Sequence, residues 1–446
     1  MKEKQFKKLF SDNSNIKKII GAQNPYNYRN KIHGVFCRDK NGSIFTGIYQ
    51  AGTHNAVCVK DCLIEDVRAH SIMSTLCYLA KSFKLQVYDE DRRTGLLRHV
   101  LIRTGYNTGE ILVVLVLASP VFPSKNTFMK ELIKRHPEIT SVVLNVNDRR
   151  TNMVLGEKNI ILYGRGYIED VLCGLRFRIS PNSFYQINPK QTEVLYGKAI
   201  ELAAFTGRER IIDAYCGIGT IGMTAASKVK EVIGIELNKS AVSDAKQNAG
   251  INNIRNIRFV NDDATKYMVR MASAGESVDV VLMDPPRSGT TKDFIDSVKK
   301  LAPKKVIYIS CNPETLARDL VLFEKSGYKT QVIQPLDMFP FTSHVETVVL
   351  LSQQKPDDYV EVELELDGLD LTSAESKATY KEIQEYVLKE YGLKVSNLYI
   401  SQVKRKCGIE VGENFILSKS EDSRQHQCPE EKEKAIKDAL EHLGMV

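Results

Sequence analysis

Between residues 211 and 351 the chain alternates short, β-branched apolar runs with amphipathic stretches, and this rhythm constrains its fold more than any other feature. Runs at 211–213, 231–236, 257–260, 278–283 and 305–310 are too short for buried helices and rich in Val and Ile. Helical periodicity occupies 220–227, 240–249, 292–301 and 315–326. Strands alternating with helices give βαβ units, and so a parallel sheet covered on both faces. Runs at 329–333 and 347–351 would complete it as sixth and seventh strands. Ligands bind such sheets at the carboxyl ends of the strands. The residues just beyond each run are therefore the candidates for chemistry.

Past the first run lies Asp213-Ala214-Tyr215-Cys216-Gly217-Ile218-Gly219. Its glycines allow a tight turn and a close approach of backbone to ligand. Positions 217–222 also match the dinucleotide pattern Gly-x-Gly-x-x-Gly, which is weak evidence for NAD. The acidic residue opening the loop and the residues downstream favour S-adenosylmethionine. Glu236 closes the second run, where a carboxylate can hold both hydroxyls of a ribose. Asp284-Pro285-Pro286-Arg287 closes the fourth. Asp-Pro-Pro also occurs in enzymes that methylate exocyclic amines, but there an aromatic residue usually follows to stack on the base. Arg287 in its place argues for a different reaction.

Ser310-Cys311-Asn312-Pro313 closes the fifth run, and His344-Val345-Glu346-Thr347 opens the seventh. Carbon 5 of uracil is too weak a nucleophile to attack a sulfonium methyl. A thiolate added at C6 makes C5 nucleophilic, and a base must then remove the C5 proton before the thiolate can leave. Cys311 and Glu346 supply that nucleophile and base. A helix opening at Pro313 would favour the thiolate. Cys216 is a rival nucleophile, since two-cysteine cytosine-5 methyltransferases exist, but it reads better as lining of the cofactor loop.

The remaining chain divides by composition. Residues 1–24 read as a basic helix or arm, 25–181 as a mixed α/β module, 182–353 as the domain of the alternating sheet and 354–446 as an acidic accessory extension. Residues 356–446 hold 12 Lys and Arg against 20 Asp and Glu, and the preceding 355 hold 50 against 35. A basic body suggests a polyanionic partner. Residues 379–391 followed by 396–407 have a helix-turn-helix look. No apolar run is long enough to span a bilayer, so no membrane partner is expected. Nine cysteines, an odd number with no spaced framework, suit a reducing, cytoplasmic compartment. Cys58-x-x-x-Cys62 is a weak metal signal.

In order along the chain, Tyr28-Arg29-Asn30-Lys31, Ser183-Phe184-Tyr185-Gln186-Ile187-Asn188, the Asp213 loop, Glu236, Asp284-Pro285-Pro286-Arg287, Ser310-Cys311-Asn312-Pro313 and His344-Val345-Glu346-Thr347 resemble the RNA uracil-5 methyltransferase family. The resemblance implies a Rossmann-like S-adenosylmethionine-dependent domain, an N-terminal mixed α/β module and a small helical extension. It implies that Gln186, Tyr215, Glu236 and Asp284, with Thr220 and Asp263, contact the methyl donor. Cys311 would be the nucleophile and Glu346 the proton acceptor. Arg29, Asn30, Lys31 and Arg287 would face RNA. The implied substrate is a uridine in 23S ribosomal RNA. Alternatives are a transfer RNA uracil-5 methyltransferase, an RNA cytosine-5 methyltransferase and an RNA-binding protein without catalysis. Many family members carry an N-terminal β-barrel and four cysteines holding an iron–sulfur cluster. Only Cys62 matches one of those ligands, so no cluster and no other metal is expected. A monomer is expected.

Overall fold

The computed structural model describes residues 2–10, 15–50, 52–59, 61–149, 153–354, 380–407, 409 and 428–443. Residues 1–358 and 359–446 form separate compact units.

In the first unit, helix α1 (Lys2–Leu9) precedes strands β1 (Lys31–Arg38), β2 (Ile44–Tyr49) and β3 (Ala56–Cys58). Helix α2 (Val67–Ser82) is capped by Asp66, whose side chain accepts from the Arg68 backbone N–H. Strands β4 (Leu97–Thr104) and β5 (Ile111–Leu117) form a hairpin, and both are buried throughout. Helix α3 (Lys125–Arg135), β6 (Ile139–Val146) and β7 (Lys158–Tyr163) follow. These strands make a seven-stranded sheet in the order β3-β2-β1-β4-β5-β6-β7, with β5 and β6 parallel and the other pairs antiparallel. A small hairpin, β8 (Ile168–Leu172) and β9 (Leu175–Ile179), leads onward.

The alternating region folds as a second seven-stranded sheet. Helix α4 (Pro189–Ala203) comes first, started by Asn188 as cap and Pro189 at its opening position. Then come β10 (Arg210–Ala214), α5 (Thr220–Ala226), β11 (Glu231–Glu236), α6 (Lys239–Ile251), β12 (Ile257–Asn261) and α7 (Ala264–Ser273). The series ends with β13 (Val280–Met283), α8 (Lys292–Leu301), β14 (Lys305–Ser310), α9 (Pro313–Lys325), β15 (Tyr328–Leu336) and β16 (Glu346–Gln353). The order is β12-β11-β10-β13-β14-β16-β15. The first five strands are parallel, while β16 enters antiparallel between β14 and β15. The expected parallel direction therefore fails only at β16, since β15, antiparallel to β16, runs with the first five strands. The loop joining β15 to β16 is too short for a helical crossover, which requires an antiparallel pair.

Two apolar layers sandwich this sheet. One of them also draws in Leu112, Val114 and Val143 from the first sheet, so the two sheets share a core. The arm expected at 1–24 is docked on the edge strand. Lys17 N–H donates to Ile333 O at 2.8 Å and Ile20 N–H to Pro335 O at 3.0 Å, which covers the unpaired edge of β15. Phe6 and Phe10 of the arm are buried in the other layer.

In the second unit, α10 (Tyr380–Tyr391), α11 (Asn397–Lys406) and α12 (Glu430–His442) pack around Ile383, Val387, Ile400, Val403, Ile436 and Leu440. Gly392 ends α10 with φ +67°, as a terminal glycine does. Residues 359–366, whose alternating sequence reads as a strand, lie outside the described residues.

Candidate active site

Strand register brings together the two residues expected as nucleophile and base. Ser310 on β14 pairs with Thr347 on β16, so the next residues outward, Cys311 and Glu346, flank each other at the carboxyl end of β14. Asn312 turns the chain into α9: its side chain accepts from Glu314 N–H at 3.1 Å. The same asparagine donates to the Arg287 carbonyl at 3.3 Å, and Thr315 Oγ1 donates to that carbonyl at 3.2 Å. These bonds tie the loop after β13 to the start of α9.

A cavity of about 630 Å³ opens at this point, lined by Cys311, Arg287, Asn312, His344, Lys2 and Phe6 among others. That is within the range of small-ligand sites. Arg287 Nη2 lies 3.4 Å from His344 Nε2 across it. Helix α1 forms one wall, which the sequence did not foretell. Lys2 Nζ reaches Asp337 Oδ1 at 2.6 Å and the carbonyls of Phe339 and His344 at 2.9 Å each, bracing the loop before β16.

The electrostatics are those of crowded carboxylates. Glu346 is 3% exposed, and burial together with the nearby Asp284 pushes its carboxyl up to about 8, against a smaller opposing pull from Arg287. Burial pushes Asp284 up to about 7. Asp213 is also raised to about 7, by burial and by the charges of Asp284 and Glu236, although it accepts from Gly222 N–H at 2.9 Å. The Cys311 thiol is pushed up to about 11 by burial, Glu346 and Asp284, with Arg287 opposing. The expected favouring of its thiolate by the helix opening at Pro313 is thus outweighed while these acids stand uncompensated.

The cofactor candidates converge on the same end of the sheet. Glu236 ends β11 and is held by two backbone donors, Gly217 N–H at 3.1 Å to Oε2 and Asn238 N–H at 2.7 Å to Oε1. Each oxygen keeps a lone pair for a diol. Tyr215 adopts φ +64° and stacks on Phe294, with ring centroids 5.3 Å apart. A non-glycine residue held in this region marks a constrained functional loop. Gly219 has φ +85°, and a Cβ there would sit 2.7 Å from the Phe259 ring, so only glycine fits. Thr220 at the head of α5 shares a 2.9 Å hydrogen bond with the Tyr196 hydroxyl. Asp263 caps α7 by accepting from Lys266 N–H at 3.0 Å. Gln186 Nε2 is 3.5 Å from Asp284 Oδ2.

Other expectations meet a different arrangement. Asn30 is 4% exposed and donates to the Gln186 carbonyl at 3.1 Å, which ties its segment to that loop. Arg29 and Lys31 remain partly exposed beside it, and burial with the charges of Arg103 and Arg29 pulls Lys31 down to about 8. Cys216 is 6% exposed within the core, its thiol raised by burial, whereas Cys311 opens on the cavity. Among the described residues no group of three or more His, Cys, Asp or Glu is placed to hold a metal ion, and no helix is long and apolar enough to cross a membrane.

A doubly wound sheet whose strand ends carry these acids and this cysteine is that of a Rossmann-like S-adenosylmethionine-dependent methyltransferase. The family described as tRNA (Uracil-5-)-methyltransferase matches residues 1–354, and the chain belongs to this RNA uracil-5 methyltransferase family. It is 43% identical over 337 residues to an uncharacterized RNA methyltransferase of Caldanaerobacter subterraneus, covering 75% of this chain and 74% of the relative. It is 42% identical to one of Bacillus cereus, covering 75% and 73%. The crystal structure of Pyrococcus abyssi tRNA (uracil-54, C5)-methyltransferase with S-adenosyl-L-homocysteine is similar, with a TM-score of 0.66 and 27% identity over 78% of this chain and 81% of that one.

Proposed function

We propose that this enzyme methylates C5 of a uridine in 23S ribosomal RNA through a covalent Cys311–C6 adduct, with S-adenosylmethionine as donor. The observation that carries the mechanism is the pairing of β14 with β16, which sets Cys311 beside Glu346 at the cavity. The site suits the donor: Glu236 offers two anchored oxygens to a ribose, and the raised carboxyls of Asp284 and Asp213 await a cation. Asp213 Oδ1 is buried without a hydrogen-bond partner, as expected of a pocket shaped for a charged ligand. Tyr215, Thr220 and Asp263 follow β10 and β12 at the same end of the sheet, and Gln186 lies beside Asp284 there. When bound, the donor supplies an electrophilic methyl group and a positive charge that is lost on transfer.

The chain's own residues do the rest. The Cys311 thiol loses its proton to solvent, the thiolate sulfur bonds to C6 of uracil, and the ring electrons move to C5 and O4. Once C5 is methylated, Glu346 takes the C5 proton, the C5–C6 double bond reforms and the C6–S bond breaks, returning Cys311. Raised to about 8, Glu346 is a strong base only in its ionised form, so the step runs from the carboxylate after the free protein's carboxyl has released its proton to solvent. The target base must leave its stack to reach Cys311. The basic body, with Arg29, Lys31 and Arg287, would hold the phosphates around it.

Transfer RNA is the second reading, favoured by the family's description and by the substrate named for the Pyrococcus enzyme. Nucleoside mass analysis of separated ribosomal and transfer RNA from cells lacking the protein tests both. Loss of 5-methyluridine from the large ribosomal RNA supports the first reading, and loss from transfer RNA the second. The purified enzyme failing to methylate uridine in either RNA refutes the proposal.

A further inference from the structure

Two large aromatic side chains stand exposed beside the catalytic loop. Tyr26 is 47% and Phe341 63% exposed, and their rings touch at 5.3 Å between centroids. They come from distant parts of the chain. Tyr28, two residues past Tyr26, is buried and its hydroxyl donates to the Pro340 carbonyl at 3.0 Å, which fixes the 24–29 segment against the 337–345 loop. Phe341 stands two residues before Ser343 and three before His344, both of which line the cavity with Cys311. The pair is therefore held at the rim of the site by framework bonds that do not need the two exposed rings.

Phe341 also adopts φ +63°. A bulky residue in that region is strained, and glycine would sit there freely. Strain of this kind gathers at functional sites. A ring that is both strained and largely in water gains little for folding. On the same segment as Tyr26 lie Arg29 and Lys31, with Arg287 across the cavity. Exposed aromatics among cations are how proteins hold unpaired nucleotides, because every base has a face to stack.

We propose that Tyr26 and Phe341 form a stacking platform for a nucleobase next to the target uridine, holding the RNA open while the uridine enters the cavity. The proposal rests on the reading that this cavity receives a uridine from RNA. A flipped nucleotide leaves its neighbours unstacked, and a paired aromatic surface replaces the lost contact.

The chain contains no tryptophan. Phe341→Trp therefore installs a single indole at the platform. In the full-length protein, titration with a 12-nucleotide oligouridylate should quench its emission, with a midpoint close to the wild-type binding midpoint measured by anisotropy of labelled RNA. Phe341→Gly and Tyr26→Ala should weaken binding of that RNA by roughly 5-fold or more. Phe341→Gly should melt no lower than the wild type, because it relieves the left-handed strain, so weaker binding cannot be ascribed to misfolding. Binding of S-adenosylmethionine should be unchanged in all three. Unquenched indole emission, or wild-type RNA affinity in Phe341→Gly, overturns the platform. These readouts need no methyl transfer, so they stand apart from failure of the proposed reaction, which Cys311→Ala probes by abolishing the adduct while leaving the quench intact.

Discussion

Replacing Glu346 by glutamine should make the protein more stable as pH rises while stopping its turnover. The carboxyl is raised from 4.5 to about 8, chiefly by burial and then by Asp284. A raised acid makes the folded state bind the proton that the unfolded state releases. Its contribution is complete below pH 4.5 and drains away as pH climbs to about 8. At about 1.4 kcal/mol per unit, the wild type loses on the order of 1 kcal/mol through this group by pH 5 and about 4 kcal/mol by pH 8. Glutamine has nearly the same shape and does not titrate. Any fixed cost of burying its amide is the same at both pH values and cancels in the comparison. The variant should therefore gain about 3 kcal/mol on the wild type between pH 5 and pH 8. For a unit of about 350 residues this is a relative rise in Tm of about 4–5 °C. Differential scanning calorimetry of both proteins in matched buffers measures it. A Tm difference that stays constant from pH 5 to pH 8, or moves the other way, would show that Glu346 is not a buried, proton-retaining carboxyl.

The same site makes other expectations concrete. Cys311→Ala should abolish both methyl transfer and any RNA adduct, whereas Glu346→Gln should let the adduct accumulate, read as a slow-migrating band on denaturing gels with labelled RNA. Alkylation of Cys311 by iodoacetamide in the free protein should keep accelerating well above pH 9, since the thiol stands near 11; Asp284→Asn should lower that midpoint and Arg287→Met raise it, by peptide mass analysis. Gly222→Ala puts a Cβ 2.7 Å from Asp213 Oδ2 and 3.1 Å from Val232, so it should cost about 1–3 kcal/mol of stability and weaken donor binding by calorimetry.

The doubly wound sheet was legible because each strand is a compact apolar run with its own turn chemistry, and the meeting of Cys311 with Glu346 because one follows such a run and the other opens one. Helices α4 and α7 escaped the first reading, although Asn188-Pro189 is a strong opening signal and Asp263 caps α7. Asn30 sits in a polar stretch that resembles surface. Its burial is decided by the carbonyl of Gln186, far along the chain, and local pattern carries no trace of that bond. The docking of residues 15–20 on β15 is likewise a nonlocal pairing of an unremarkable segment. Lys2 looked like one of several solvated lysines, and only the folded loop gives it three acceptors. Charge composition revealed a basic body but not which cations ring the cavity.

The late insertion of β16 between β14 and β15 has a consequence for the protein's birth on the ribosome. A chain growing from its N-terminus completes the donor crevice and exposes Cys311 before Glu346 is made. Until β16 arrives, β15 is paired only with residues 15–20 on its outer edge, and β14 presents an open edge. β16 therefore closes the edge and brings Glu346 beside Cys311 in one event. Under the proposed mechanism, a prematurely ended product lacking β16 would be unable to release an RNA it had captured, and its open β14 edge would invite association with other chains.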